Sequence, residues 1–580
     1  MSMVKDSILV KIGGKTGEGI DSMGEMLVYI AKECGLEGNT FRSFPTVIVG
    51  GNTTYEAHLS SRRIYARGNE VDILVALHQE SMDELVGEMA QEALAIYDPA
   101  IVTQIPEGAP SQKFIAIPFK QMAKEIGSDI MRNMVALGVL VRLLDLDLEA
   151  GYTIIEKRFG SKGEKIVEQN KQALKKGYEY KDERLTISHD AIKKPDVPTP
   201  KLLMSGNEAM AYGALAAQCR VFAGYPITPA SDILEWMAKK LPEVGGYCLQ
   251  MEDEIAALCT VIGASFTGVR AMTATSGPGI SLMTEAMGLA GMTEVPVVII
   301  DTQRPGPSAG MPTRHEQSDI KHLIHGSHGE FPRIVISPGT VDECIEDMVA
   351  AFNLADYYQC PVIIAADQDL ALRKQTIDLE AIDVDSFTID RGKIADPNTP
   401  NYKRYLDTPD GISPRAFPGQ ENMLFVSSGD EHHEDGSIDL YDPKERIKMV
   451  SKRMRKIEKM DASRYQPIRL YGPDHARTLI IGMGSTKGPI LEVIRQLPDT
   501  RYMQIKRLWP FPTQEVEPVL NEVETIIVVE HNYQGQLAYL IRAELPVHHK
   551  IHSVLKFDGT PFTPKELLEE VKQCLPTKIS

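Results

Sequence analysis

Residues 251–279 read MEDEIAALCTVIGASFTGVRAMTATSGPG, which combines an acidic start, a small-residue segment and a glycine-rich turn. Glu254 directly precedes the small apolar helix predicted over residues 255–263, and a strand-like run then leads into the turn at 276–279. A helix that follows a strand of an open parallel sheet begins at the edge where such sheets bind ligands. Glu254 is therefore a candidate site residue.

The acidic residues at this position have a second explanation. Glu252, Asp253 and Glu254 all favour the positive N-terminal end of a helix, whatever its function. Of the three, Glu254 directly abuts the small-residue helix.

Further segments extend the pattern on both sides. Tyr225-Pro226-Ile227-Thr228-Pro229 follows an apolar strand, and QRPGPS at 303–308 and PTRHEQSD at 312–319 follow a strand-like run at 295–301. Strand-like and helical stretches alternate from residue 205 to about 367, which predicts a parallel sheet covered by helices on both faces.

The N-terminal part carries its own α/β pattern. A strand at 7–12 leads into the glycine-rich residues 13–20 and then a helical pattern, so the helix N-terminus could hold an anion. The order G-x4-G-K-[ST] of a P-loop is incomplete, because Lys15 and Thr16 fall inside the loop. A P-loop or dinucleotide-binding enzyme is therefore a disfavoured alternative.

Composition narrows the class of protein. The chain has 580 residues and a formal net charge of -18, which argues against general nucleic-acid binding. No run approaches the ~18 apolar residues of a membrane span, and the start has no secretory pattern, so we expect a cytoplasmic protein. The seven cysteines are scattered without a C-x2-C pair and provide no ligand set for zinc or an iron–sulfur cluster.

The length predicts about three or four domains. The predicted parts are a first α/β domain at 1–185, a linker at 186–202, a second α/β domain at 203–374, a connecting segment at 375–465 and a last α/β domain at 466–580. The basic side chains of the charged helix at 444–459 are expected to form a solvated face, with an anion or partner site as the alternative. They are Lys448, Lys452, Arg453, Arg455 and Lys456.

The motifs at 225–319 resemble the pyrimidine-binding domain of thiamine diphosphate enzymes. Together they resemble the α subunit of 2-oxoacid:ferredoxin oxidoreductases, and more closely the 2-oxoglutarate type. Residues 1–185 resemble the family's γ domain, fused here to the α part, with residues 49–52 as a weaker marker. Residues 466–580 resemble a transketolase C-terminal domain. The resemblance implies an α/β fold with several doubly wound domains.

The resemblance also implies roles for particular residues. Glu254 would be the catalytic carboxylate that activates the cofactor, and Thr228 and Arg314 would bind the substrate, with Arg304 and His315 as further substrate-binding candidates. The alternative is that Arg304 and Arg314 stabilise loops or pair with Glu316 or Asp319. Predicted cofactor contacts are Tyr225, Pro226, Ile227, Glu254, Ser276 and Gly277. Predicted coenzyme A contacts are Gly14, Lys15, Thr16, Gly17 and Lys120.

No residue of this chain is predicted to bind a metal. The chain lacks the Gly-Asp-Gly motif through which thiamine enzymes hold Mg²⁺ and the diphosphate, and it lacks cluster cysteines. The resemblance therefore implies a β subunit that carries the diphosphate site, Mg²⁺ and a [4Fe-4S] cluster, in an (αβ)2 heterotetramer that shares thiamine diphosphate between its subunits. Ferredoxin would be the electron acceptor and coenzyme A the co-substrate, with no nucleic-acid or membrane partner.

The expected reaction is coenzyme A-dependent oxidative decarboxylation of 2-oxoglutarate to succinyl-CoA and CO2. The same chemistry in reverse would fix CO2, as in a reductive TCA cycle, and the sequence does not determine the direction. The closest alternative is a pyruvate or broad-range 2-oxoacid enzyme, and a more distant one is a noncatalytic scaffold with the same fold.

Overall fold

The computed structural model describes residues 7–43, 51–106, 114–185, 192, 194–195, 199–458, 460–546 and 551–575. Most of the predicted linker at 186–202 and part of the 49–52 marker lie outside these residues. The chain forms two compact units, residues 1–204 with 373–382 and 563–565, and residues 205–372 with 383–562 and 566–580. The domain boundaries given above remain predictions.

The first unit is built on an eight-stranded mixed sheet in the order β6-β5-β4-β1-β3-β2-β14-β7. Its strands are β1 (Ser7–Lys15), β2 (Glu37–Ser43), β3 (Asn52–Ser60), β4 (Val71–Ala76), β5 (Met89–Tyr97), β6 (Phe114–Ala116), β7 (Lys201–Ser205) and β14 (Lys374–Asp378). Its helices are α1 (Ile20–Glu33), α2 (Gln79–Leu85), α3 (Phe119–Lys124), α4 (Arg132–Leu143), α5 (Leu148–Phe159) and α6 (Glu164–Tyr178). β4 runs parallel to β1 and β5, whereas β3 is antiparallel to β1 and β2.

The predicted glycine turn after the first strand is shorter than expected. β1 continues to Lys15, so Gly13 and Gly14 lie in the strand, and only residues 16–19 form the loop. Gly13 permits close packing of α2, because a Cβ there would lie 2.7 Å from Ser81 Cβ. A Cβ at Gly14 would lie 2.5 Å from Cδ1 at the end of the Ile20 side chain.

The second unit contains a seven-stranded sheet in the order β18-β12-β13-β11-β10-β8-β9 and a five-stranded sheet in the order β15-β17-β16-β19-β20. The strands are β8 (Val221–Gly224), β9 (Tyr247–Gln250), β10 (Ala271–Thr275), β11 (Val297–Gln303), β12 (Ile334–Ile336), β13 (Pro361–Asp367), β15 (Ile468–Tyr471), β16 (Thr478–Gly482), β17 (Thr500–Ile505), β18 (Arg507–Trp509), β19 (Thr525–Glu530) and β20 (Ile551–Leu555). The sheets are parallel except at β18 and β15.

The second unit also contains helices. They are α7 (Gly206–Ala216), α8 (Ser231–Lys240), α9 (Glu254–Phe266), α10 (Gly277–Met292), α11 (Ile320–His325), α12 (Val341–Tyr358), α13 (Gln368–Leu372), α14 (Pro443–Glu458), α15 (Lys487–Ile494), α16 (Thr513–Asn521), α17 (Gln536–Glu544) and α18 (Pro564–Cys574). One buried apolar cluster joins side chains of both sheets and of the helices, such as Ile299 of β11, Met503 of β17 and Leu258 of α9. The predicted α/β fold with parallel sheets is confirmed.

The prediction of a solvated basic face on α14 is wrong for three of its five residues. Lys452, Arg453 and Lys456 are at most 2% exposed. Lys452 Nζ and Lys456 Nζ both contact the buried Glu294 carboxylate, at 2.6 and 2.5 Å. Charged groups are buried when a counter-charge compensates for their lost hydration, and that counter-charge comes from a residue far away in the sequence.

Within the described residues, no helix is both long and apolar enough to cross a bilayer.

Candidate active site

The structure distinguishes the three carboxylates that precede α9. Glu252 is exposed, and Asp253 is the N-cap of the helix, because its side chain accepts a hydrogen bond from Ala256 N at 2.7 Å. Glu254 is the first helical residue and is 5% exposed. Its side chain forms no hydrogen bond to any residue in the described part of the chain. Glu254 is therefore a buried carboxylate whose oxygens can accept hydrogen bonds from a ligand.

Glu254 lies against the start of the next helix, α10. A Cβ at Gly279 would lie 2.0 Å from Thr275 Oγ1 and 2.7 Å from Glu254 Cγ. Only glycine fits there without displacing the carboxylate. The close approach places Glu254 beside the first turn of α10, where Gly277 is the first helical residue and Ser276 the N-cap. Ser276 is fully buried, and its hydroxyl has no partner among the described residues.

The segment from Tyr225 to Thr228 follows β8 at the carboxyl end of the parallel sheet. Asn207 Nδ2 donates to Pro229 O at 2.8 Å, and this contact anchors the loop to α7. Tyr225 and Pro226 are exposed, whereas Ile227 and Thr228 are half-buried. The loop is thus held by its backbone while its side chains stay accessible to a ligand.

Arg304 contacts this loop directly. Its Nη1 donates to the Thr228 carbonyl oxygen at 2.6 Å, and the side chain is 8% exposed. The Nη1 group of Arg304 therefore stabilises the loop, in agreement with the alternative that Arg304 has a loop-stabilising role. Binding of substrate by Arg304 remains a prediction.

Arg314 and His315 lie in a second loop, beside the end of the five-stranded sheet. A Cβ at Gly559 would lie 3.1 Å from Arg314 Cβ, and His315 N donates to Gly559 O at 3.0 Å. The His315 ring is 3% exposed and packs edge-on against the His531 ring at a centroid distance of 4.3 Å. None of the contacts described for His315 is with Glu254 or the Tyr225–Thr228 loop. Arg314, its neighbour in the chain, is half-buried.

Gln317 fixes this second loop between the two sheets. Its Nε2 donates to Asp367 Oδ2 at 2.7 Å, and its backbone N donates to His531 O at the same distance. Asn532 Nδ2 donates to Gln317 O at 3.1 Å. Burial lowers the pKa of His531 well below its ordinary value, so this imidazole is neutral.

Two residues of this region, Asn207 and Asp301, were not predicted from the sequence to belong to the site. The signal for Asp301 was an acidic residue within the otherwise apolar run VVIID of β11. An unpaired carboxyl in a buried strand is rare enough to suggest a function.

The first unit presents the candidate coenzyme A residues. Lys15, Gly17 and Gly19 are exposed, and both glycines have positive φ, at 87° and 82°. Thr16 is held by a backbone hydrogen bond from its N to Gly51 O at 3.2 Å. The loop therefore leaves the N-terminus of α1 accessible, while Gly14 is buried beneath it.

Lys120 is at the start of α3, after β6. β1, β4, β5 and β6 are parallel, so Lys120 and the loop lie at the same edge of the sheet. They are three strand positions apart, or about 14 Å.

Three family models match the chain. The model described as pyruvate flavodoxin/ferredoxin oxidoreductase, thiamine diphosphate-binding, matches residues 212–452. Those for pyruvate ferredoxin/flavodoxin oxidoreductase and for pyruvate:ferredoxin oxidoreductase core domain II match 10–180 and 476–567. The 2-oxoacid:ferredoxin oxidoreductase subunit alpha of Sulfolobus sp is 33% identical over 96% of this chain and 95% of that protein. The chain belongs to the 2-oxoacid:ferredoxin oxidoreductase α-subunit family.

Other members of the 2-oxoacid:ferredoxin oxidoreductase family match over similar lengths. The 2-oxoglutarate oxidoreductase subunit KorA of Mycobacterium tuberculosis is 29% identical over 99% of this chain and 92% of that protein. The 2-oxoglutarate:ferredoxin oxidoreductase of Magnetococcus marinus, solved with 2-oxoglutarate, coenzyme A and succinyl-CoA bound, is 36% identical with a TM-score of 0.92, covering 98% of this chain and 99% of that one. The predicted family is confirmed. As an α subunit of an oxidoreductase, this chain acts with a partner subunit.

Proposed function

We propose that this α subunit, with its β partner, oxidises 2-oxoglutarate and coenzyme A to succinyl-CoA and CO2, passing the electrons to ferredoxin. The observation that carries the proposal is Glu254, a buried carboxylate without a hydrogen bond from the described residues. It is the first residue of α9 and lies against the start of α10, in the region matched by the thiamine diphosphate-binding model. The ligands bound to the Magnetococcus marinus relative support the choice of substrate.

The residues present fit thiamine diphosphate. Because Gly279 has no side chain, the Glu254 carboxylate packs against the start of α10. It accepts no hydrogen bond from the described residues, so it can accept one from a protonated ring nitrogen of the cofactor. When bound, the cofactor supplies the nucleophilic carbon and the electron sink for decarboxylation. Glu254 would hold the proton at that ring nitrogen, and such acid–base assistance contributes roughly 10²–10⁴-fold to rate.

The 2-oxoacid would bind between the two loops that carry Thr228 and Arg314. The Thr228 hydroxyl would donate to the substrate near the reacting carbon, and the Arg314 guanidinium would pair with a carboxylate. Arg304 holds the backbone of Thr228 through the 2.6 Å hydrogen bond from its Nη1 to the Thr228 carbonyl oxygen. Tyr225, Pro226 and Ile227, together with Ser276 and Gly277, would contact the cofactor.

Coenzyme A would bind the exposed residues at the N-terminus of α1. Free backbone N–H groups at a helix start attract phosphate, and Lys15 and Thr16 add a charge and a hydroxyl. Lys120, at the same edge of the sheet, would contact a more distant part of the molecule.

The remaining parts of the reaction belong to a β subunit. The chain has no Gly-Asp-Gly motif, so Mg²⁺, the diphosphate site and the [4Fe-4S] cluster are assigned to that partner, in an (αβ)2 assembly. A cytoplasmic location is supported by the seven cysteines, none of which forms a disulfide within the described part of the chain, as is usual in reducing compartments. Reverse operation as CO2 fixation would use the same residues.

The test is reconstitution of the α chain with its β subunit, followed by kcat/KM for 2-oxoglutarate and for pyruvate with ferredoxin as acceptor. We expect 2-oxoglutarate to be preferred by at least about tenfold, because an extra carboxylate–cation pair contributes more than 1.4 kcal/mol. Equal values would instead support a broad-range enzyme, the reading favoured by the Sulfolobus relative's name. Absence of oxoacid-dependent ferredoxin reduction would refute the proposal.

A further inference from the structure

Asp301 is a carboxyl group buried without compensation. It lies in β11 with 0% exposure, and neither of its carboxyl oxygens has a hydrogen-bond partner among the described residues. An isolated ionised carboxylate in such a place would be very costly, so the group must be neutral or must share a proton.

A second carboxyl, that of Asp319, approaches the same region. Asp319 N donates to Gln303 Oε1 at 3.0 Å, which ties the residue to the end of β11. A Cβ at Gly277 would lie 2.6 Å from Asp319 Oδ2 and 2.9 Å from Oδ1. Asp319 therefore packs on the first residue of α10, where the helix end favours negative charge. Its Oδ2 is buried and unpartnered by the described residues.

The charges around these two groups favour one proton for the pair. Burial and the neighbouring Asp319 raise the pKa of Asp301 well above its ordinary value. Burial and the Glu316 carboxylate raise the pKa of Asp319 to about 6, while the Arg304 charge opposes this shift. At neutral pH the proton therefore resides on Asp301 and the negative charge on Asp319.

Arg304 is the cation whose charge interacts with that of Asp319. No carboxylate of the described chain forms an ion pair with Arg304, and its Nε is buried without a partner there. Burial lowers the pKa of the guanidinium, and the charge of Asp319 opposes that shift. Asp319 thus supplies the counter-charge of a side chain whose Nη1 holds the Thr228 carbonyl at 2.6 Å.

We propose that Asp301 and Asp319, two buried carboxyl groups at the end of β11 and the start of α10, are positioning residues for the substrate-binding wall and stabilise Arg304 in its contact with the Thr228 carbonyl. The inference rests on the proposed function only in taking the Thr228 loop as the 2-oxoacid site. The existence of the carboxyl pair does not depend on it.

The pair makes oxoacid binding sensitive to acid. As the pH falls through about 6, Asp319 gains a proton and Arg304 loses its counter-charge. The loop is then held less firmly, so KM for the oxoacid rises while kcat changes less. Removing the Glu316 charge lowers the pKa of Asp319, because a like charge disfavours ionisation.

The experiment uses the reconstituted complex with its β subunit and compares wild type with D301N, D319N, E316Q and E285Q. Infrared difference spectra at pH 7, wild type minus D301N, are expected to contain the carbonyl band of one protonated carboxylic acid. In plots of KM against pH, D319N is expected to raise KM roughly tenfold at neutral pH, because the counter-charge that acts on Arg304 is removed. It is also expected to lose the rise of KM at low pH, here called the acid limb. D301N should keep the limb, and E316Q should move it to lower pH.

E285Q is the matched control, since Glu285 is an exposed carboxylate on α10 whose removal should leave the limb in place. No carboxylic acid band, or an acid limb that survives D319N, would overturn the inference. The spectrum does not require turnover. A complex inactive toward 2-oxoacids would therefore refute the proposed function, while the band would still decide whether the pair exists.

Discussion

Arg304 Nη1 donates a hydrogen bond of 2.6 Å to the carbonyl oxygen of Thr228. This contact connects the end of β11 to the loop after β8, two strands away in the sheet. It fixes the backbone of Thr228 and leaves the hydroxyl of that residue for a ligand.

The Thr228 hydroxyl is expected to contribute to oxoacid binding. Thr228→Val, which keeps the shape and removes the hydroxyl, should lower kcat/KM for 2-oxoglutarate by roughly tenfold, the effect of one lost hydrogen bond near a charge. Thr228→Ser should retain most of the activity. Steady-state kinetics of the reconstituted complex measure both, and equal activities of the two variants would contradict the role.

Glu254 is expected to be required for turnover and dispensable for folding. Glu254→Gln should reduce kcat by roughly 10²–10⁴-fold, because the amide cannot hold a proton in the way that a carboxylate does. Circular dichroism and the thermal midpoint should stay close to wild type. Glu252→Gln, which alters an exposed neighbouring carboxylate, is the control, and a similar loss in both variants would argue against a specific role.

Gly279 is expected to hold Glu254 in position by having no side chain. In Gly279→Ala the new methyl would lie 2.0 Å from Thr275 Oγ1 and 2.8 Å from Glu254 Oε1, so the carboxylate must move. Affinity for thiamine diphosphate, measured by titration of the complex, should fall. Gly263→Ala, on the neighbouring α9, meets no atom within 4 Å and should instead be neutral or stabilising by up to about 1 kcal/mol. Unchanged cofactor affinity in Gly279→Ala would be evidence against this packing.

Glu294 is expected to be the most important single residue for attachment of α14. Glu294→Gln leaves Lys452 and Lys456 buried without a counter-charge, which should lower the free energy of unfolding by roughly 3–5 kcal/mol. Urea denaturation followed by circular dichroism measures this. Lys448→Met, which removes a partly exposed pair to Glu434, should cost less than about 1 kcal/mol.

The same cluster has a predictable pH dependence. Burial would raise the pKa of Glu294, but the charges of Lys452 and Lys456 outweigh it and hold the pKa below its ordinary range. A carboxylate with a depressed folded-state pKa stabilises the protein above its unfolded pKa of ~4.3 and loses that contribution as the pH falls further. The free energy of unfolding of the wild type should therefore decrease below about pH 4. The share of this decrease that comes from protonation of Glu294 should be absent from Glu294→Gln.

Lys15 is expected to affect coenzyme A without affecting the oxoacid. Lys15→Ala should raise KM for coenzyme A by several-fold, because an exposed phosphate contact is lost, and leave KM for 2-oxoglutarate unaltered. Lys124→Ala, on α3 of the same unit, is the control for loss of a lysine. Hydrogen exchange of residues 15–19 should slow when coenzyme A is added, and no protection there would place the ligand elsewhere.

Much of the fold follows from local pattern. The apolar runs of β1, β10 and β19 are each visible as short segments bounded by turn residues. Residues 277–279, predicted as a turn, instead form the first turn of α10, which begins at Gly277. The strand limits are less predictable, because β1 continues through Gly13 and Gly14 as far as Lys15. Its end depends on pairing with β3, a contact that no local propensity encodes.

The sequence by itself determined the family, the α/β class and the candidate carboxylate, since Glu254 and the 276–279 turn lie close enough in the chain to form one motif. The tertiary structure alone decided which charges have partners. Lys452 and Lys456 are buried because Glu294, remote in sequence, meets them, and Asp301 is left unpaired because β11 runs through the core of the sheet. Burial and counter-charge depend on which distant segments come together, and a linear pattern of residues does not contain that information.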